Sequence, residues 1–177
     1  MFVFLIAIIV LALVFDYING CHDAANSIAT IVSTKVLTPF QAVLWAASFN
    51  FIAFFIFREH KVAGTIANIM SENIINFKVI MAATIAAISW NLLTWYYGIP
   101  SSSSHTLIGG LAGAGLAAGG LAGVNTYPIF IALIFMILAP IIGLLFGFVT
   151  TVLNVNVAKK SRPENAEKWF RRLQLLS

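Results

Sequence analysis

Long apolar stretches with brief polar punctuation run from Phe2 to Val157, and they restrict this chain to what a lipid bilayer allows. To cross hydrocarbon as a helix, a segment must offer roughly 17–25 largely apolar residues. Several stretches here do so or come close. With 60% of the 177 residues hydrophobic, 9% charged and a mean hydropathy of +0.96, the composition excludes an ordinary soluble domain. The expected fold class is an all-α polytopic membrane protein.

The first run, Phe2–Phe15, is short for a span and meets Asp16 and then Asn19-Gly20-Cys21-His22-Asp23-Ala24-Ala25-Asn26 before apolar character resumes at Ile28. It reads as one helix broken near Gly20, with Lys35 and Pro39 marking its far end. A second span is expected over Thr38–Phe57, stopped by Arg58-Glu59-His60-Lys61. Val62–Phe77 reads as a weakly amphipathic interfacial stretch. A third span, Val79–Gly98, carries Trp90, Trp95, Tyr96 and Tyr97 as an aromatic belt and is ended by Pro100. After the serine run come the pairs Gly109/Gly113, Gly115/Gly119 and Gly119/Gly123, whose spacing lets helices approach closely in lipid. Pro128 opens a last helix that runs through Pro140 to about Val157, and an amphipathic surface helix is expected after Pro163.

The formal charge of +4 is concentrated in the tail, where Lys159, Lys160, Arg162, Lys168, Arg171 and Arg172 fall within residues 158–177. Basic residues beside a span mark the cytoplasmic side and favour anionic lipid head groups. No nucleic-acid recognition motif accompanies them, so nucleic acid is not an expected partner. The N-terminus lacks a basic n-region and a cleavage site and does not read as a secretory signal. Cys21 is the single cysteine, which excludes an intrachain disulfide and a cysteine-based zinc site.

Two clusters carry chemistry. Asp23, with Asn19, His22 and Asn26 as neighbours, lies deep in apolar sequence, where a carboxylate costs at least about 2.5–3.5 kcal/mol on insertion scales and therefore marks a functional site. Asn26 would add a neutral oxygen of the type that hard cations prefer. The competing reading is a helix-capping Asp near the interface. Ser101-Ser102-Ser103-Ser104-His105-Thr106 offers hydroxyls and unpaired N–H groups at a helix start, which suit an anion such as phosphate. Its competing reading is a polar cap at the membrane surface. Together the clusters match transporters that set a half-helix N-terminus against an anionic substrate while nearby oxygens hold a coupling ion. Asp23 would repel a phosphate dianion at low dielectric, so a cation or proton must stand between them.

These residues resemble a known family. Asn19–Asn26, followed by Gly98-Ile99-Pro100-Ser101-Ser102-Ser103-Ser104-His105-Thr106-Leu107-Ile108-Gly109, is similar to the motifs of the inorganic phosphate transporter (Pit/PiT) family, and His22 before Asp23 is closest to its bacterial members. The resemblance implies inorganic phosphate as substrate, free or as a metal complex, symport with Na+ or H+, and an inverted-repeat fold with the site between repeats. It implies binding by Asp23, Asn26, Ser101, Ser102, Ser103, Ser104 and Thr106, with Asp23, Asn26 and Asn19 in cation coupling. His22 and His105 are assigned tuning and Pro100 geometry; no organic cofactor and no resident metal are expected.

Family chains carry a second, related Asn-Asp motif in a C-terminal repeat, and this sequence has one copy. Residues 1–157 thus read as the N-terminal repeat and 158–177 as a basic tail or inter-repeat linker, with a second repeat as partner and a homo-oligomer of the whole transporter. Counting Leu107–Gly123 as a span gives five crossings, while a re-entrant hairpin gives four and a better charge balance. An inverted repeat requires an odd number, which selects five crossings of the cell (inner) membrane, with the N-terminus outside and the tail cytoplasmic. Two other classes compete: a non-transporting assembly subunit, and an intramembrane hydrolase using a serine of the run with His22 or His105 and Asp23.

Overall fold

A computed structural model describes residues 2–56, 61–159 and 163–175. Its helices are α1 (Phe2–Ser33), α2 (Pro39–Ile56), α3 (Lys61–Ala67), α4 (Phe77–Tyr96), α5 (Ser103–Gly119), α6 (Thr126–Ala158) and α7 (Pro163–Leu173), with 3-10 turns at Glu72–Ile74 and Gly120–Gly123. Among the described residues five segments are long and apolar enough to cross a membrane: α1, α2, α4, α5 with its following turn, and α6. α5 rises as one helix and does not double back, as five crossings require. Arg58, Glu59 and His60, together with Lys160, Arg162 and Ser177, lie outside the described residues.

The expected break in the first helix does not occur: α1 is continuous through the whole Asn19–Asn26 cluster. A mid-helix glycine costs only about 0.5–1 kcal/mol, whereas each unsatisfied backbone group in lipid costs several. Gly20 keeps a negative φ, and a side chain there would meet open space. Polar side chains at this depth are therefore carried on intact backbone.

The chain forms two compact units. One takes in the sequence up to Ser27 and Ile52–Phe130, the other Ile28–Phe51 and Ile131–Ser177. The first is built on an antiparallel α4–α5 pair. Asn76 caps α4 by accepting hydrogen bonds from the N–H groups of Lys78 and Val79, both at 3.0 Å. At the other end Gly98, at φ +65°, donates to Trp95 O at 3.1 Å while Ile99 N–H donates to Thr94 O at 2.9 Å, so a Schellman turn ends the helix before Pro100 is reached. The α4 face made of Ala83, Ala87, Asn91 and Thr94 is buried. Gly110 of α5 sits against the Ala83 carbonyl and the Ala87 side chain, a contact only glycine permits.

Of the three glycine pairs expected to make such contacts, Gly109 and Gly113 face open space. Gly115, Gly119 and Gly123 instead pack on the segment before α4. There Ser71 N–H donates to Gly123 O (3.1 Å), Asn125 N–H to Ile69 O (2.8 Å) and Ser71 Oγ to Ala122 O (2.8 Å), clipping residues 68–71 to 122–125. Ile69 and Met70, 1% and 4% exposed, belong to this core. Glycines without side chains leave room for this strand-like segment to bury.

In the second unit Thr38 and Gln41 form a capping box around Pro39. Thr38 N–H donates to Gln41 Oε1 (3.1 Å) and Gln41 N–H to Thr38 Oγ1 (3.4 Å), which fixes the start of α2. α6 buries no residue within this chain, as suits a lipid- or partner-facing span, and continues through Pro140. α7 is amphipathic as expected: Ala166, Trp169, Phe170 and Leu173 share one side, and Glu167 pairs with Arg171 at 3.1 Å on the other. Its end is held where Thr34 Oγ1 donates to Gln174 Oε1 and Trp45 Nε1 to Leu175 O, both at 3.0 Å.

Candidate functional site

The first unit brings the two polar clusters together. The Schellman turn at Gly98 throws the chain across the end of α4, and Pro100 keeps it extended until Ser102, at φ −101° and ψ 119°, becomes the N-cap of α5. Ser102 makes no side-chain capping bond, so the simple cap reading does not describe its hydroxyl. Ser103 opens the helix, and its Oγ donates to Asp23 Oδ2 at 3.3 Å. Ser101 Oγ and Thr106 Oγ1 lie 3.3 Å apart, and Thr106 Oγ1 donates to Ser102 O at 2.9 Å. The first N–H groups of α5 have no partners within the helix and share its positive dipole end.

The run has two sides. Ser101, Ser102, His105 and Thr106 line an open cavity of about 420 Å³ together with Ala86, Trp90, Gly109 and Gly110. Ser103 turns instead to the half-buried carboxylate of Asp23, and Ser104 is exposed. On α1, His22 is half-buried and Ser27 Oγ donates to Asp23 O at 3.2 Å. Asn26 is exposed and forms no hydrogen bond with Asp23 or the serine run among the described residues. Asn19, one turn before Asp23, has a buried Oδ1 without a hydrogen-bond partner among them.

Sequence reasoning missed two neighbours. Trp90, assigned to an aromatic belt, lines the cavity. Asn91 is 0% exposed, and neither its Oδ1 nor its Nδ2 has a hydrogen-bond partner among the described residues. A carboxamide in the middle of an apolar span is itself a signal, since polar groups at that depth face the protein interior.

The sequence profile of the phosphate transporter family matches residues 19–176, nearly the whole chain and both clusters. The chain belongs to the phosphate transporter family. It is 44% identical over 176 residues to a probable low-affinity inorganic phosphate transporter of Rhizobium meliloti, covering 99% of this chain and 53% of that one. A protein of the same description from Bacillus subtilis is 44% identical over 180 residues, covering 97% and 52%. A solved structure titled "The sodium-dependent phosphate transporter" superposes with a TM-score of 0.80 at 29% identity, covering 94% of this chain and 42% of that one. The chain thus spans about half the length of these relatives. Membership of this phosphate transporter family sets the chain among multi-pass membrane transport proteins and not among enzymes, which removes the hydrolase reading.

Proposed function

We propose that this chain carries inorganic phosphate across the cell membrane by cation symport, as the N-terminal repeat of a two-repeat transporter. The observation that carries the reading is the 3.3 Å contact of Ser103 Oγ with Asp23 Oδ2. It joins an anion-attracting helix start to a carboxylate. A phosphate at the serine run would lie close enough to Asp23 for their repulsion to be severe unless a cation or proton stood between them. Substrate and coupling ion therefore bind together or not at all, which is the requirement for symport. The names of the relatives support phosphate as substrate. Asp23, Asn26 and Asn19 are assigned to the coupling ion, Ser101, Ser102, Ser103, Ser104 and Thr106 to phosphate, and His22 and His105 to tuning.

The test uses S102A/S103A/S104A in the transporter that contains this chain. Backbone and dipole stay in place while hydroxyl donors are lost. Each lost bond to a charged group weakens binding by about 1.5–3 kcal/mol, so phosphate affinity should fall at least about tenfold in uptake assays. Unaltered affinity would make the run a surface cap only.

The orientation that completes this reading puts the basic tail in the cytoplasm, with the apolar side of α7 in the head-group layer and Lys168 and Arg172 toward anionic lipid. A cysteine at Ser177 in a C21S background should react with impermeant maleimide only from the cytoplasmic side. Labelling from outside would reverse the topology.

A further inference from the structure

The turn that ends α1 carries a residue its geometry does not favour. Lys35 N–H donates to Val32 O at 3.0 Å and Val36 N–H to Ile31 O at 3.1 Å, the paired bonds of a Schellman motif, with Lys35 in the left-handed position at φ +55°. Glycine or asparagine ordinarily stands there, because a Cβ in the left-handed region crowds the following carbonyl. Among the described residues Lys35 is the only one besides glycines with a positive φ. A lysine in the last turn of α1 would serve the helix dipole without that strain, and none is there. Strain kept at one charged residue points to a use for the charge at that place.

The second unit brings further charge to the same turn. Thr34, the neighbour of Lys35, donates to Gln174 Oε1, and Trp45 Nε1 donates to Leu175 O, so the end of α7 is fastened beside Lys35. Of the cations on α7, Arg171 is taken up by Glu167. Lys35, Lys168 and Arg172 are exposed and form no ion pair among the described residues. Lys168 and Arg172 lie one turn apart along the edge of the apolar side of α7, where Trp169, Phe170 and Leu173 remain exposed. Unpaired cations beside exposed apolar rings complement a lipid whose head is anionic: an acyl chain along the rings, a phosphate among the cations.

We propose that the α1–α2 turn and α7 form a binding site for one anionic phospholipid, its phosphate held by Lys35 together with Lys168 and Arg172. The inference rests on the placement of α7 in the head-group layer given above. In the transporter containing this chain, thermal melting is followed in detergent micelles titrated with phosphatidylglycerol or with phosphatidylcholine of the same acyl chains. Phosphatidylglycerol should stabilise the wild type more. K35G, which relieves the left-handed strain, should melt no lower than wild type without added lipid, yet need about fivefold more phosphatidylglycerol for half of the stabilisation. R172Q should show a similar shift, and K35R should match wild type.

A wild-type phosphatidylglycerol requirement in K35G or R172Q would overturn the proposal. Equal stabilisation by the two lipids would overturn it as well, as would equal stabilisation by glycerol 3-phosphate, which would make the cluster a site for free phosphate esters. Quenching of tryptophan fluorescence by brominated phosphatidylcholine, compared between wild type and W169F, tests the placement of α7 separately. Quenching of Trp169 beside an unshifted K35G would keep α7 on the membrane and reject the lipid site; absence of that quenching would overturn both.

Discussion

Cation-coupled phosphate uptake is expected to collapse in D23N while the protein still inserts and folds. Asparagine matches the size of aspartate and keeps an oxygen to accept the 3.3 Å bond from Ser103 Oγ, so the link between α1 and α5 survives. What disappears is the full negative charge. In the proposed reading that charge holds a cation against the serine run, and interactions with a charged group are worth about 1.5–3 kcal/mol each, or about 10- to 150-fold in binding. Because coupling multiplies the loss through the co-bound phosphate, uptake should fall by at least about a hundredfold. Uptake under imposed Na+ and H+ gradients, normalised to protein in the membrane fraction, measures it. Wild-type uptake with unchanged cation dependence would remove Asp23 from the mechanism.

The second large effect is structural. G110A should destabilise the folded protein by about 1–3 kcal/mol, because its Cβ would lie 2.6 Å from the Ala83 carbonyl, a backbone atom that cannot swing aside. The same change at Gly109 or Gly113, where nothing lies within 4 Å, should be neutral or stabilising by up to about 1 kcal/mol through reduced backbone freedom. Thermal melting of the three variants separates them. Equal effects at all three positions would mean that α4 and α5 do not meet at Gly110.

That comparison also shows where sequence reasoning reached and where it stopped. Spacing announced that the glycine-rich helix packs closely on something, but a small-xxx-small pattern repeats around the helix and does not say which glycine faces the neighbour; that depends on the rotation of α5, set by the turn at Gly98. The start of the second span at Thr38 was legible from its apolar run, whereas the capping box of Thr38 and Gln41 that fixes it was not read, although it is closed within four residues. The serine run and Asp23 were each legible as polar interruptions of apolar sequence, and their 3.3 Å contact across 80 residues was not. The break assigned to Gly20 overweighted a local propensity worth about 1 kcal/mol against the larger demand of the bilayer for a closed backbone. Asn91 went unread because a single amide hardly changes the apolar character of its span, although an amide in such a span is a signal that its burial bears out.

The double fastening of α4 to α5 has a mechanical consequence. One end of the pair is tied by the Schellman turn that leads into the serine run, the other by the clip between residues 68–71 and 122–125. A hinge opening between the two helices would have to tear one of these fastenings. The serine run is therefore the tip of a stiff lever. If the site is to face one compartment and then the other, the pair swings as a whole, and the contact of Ser103 with Asp23 is the catch that such a swing would release.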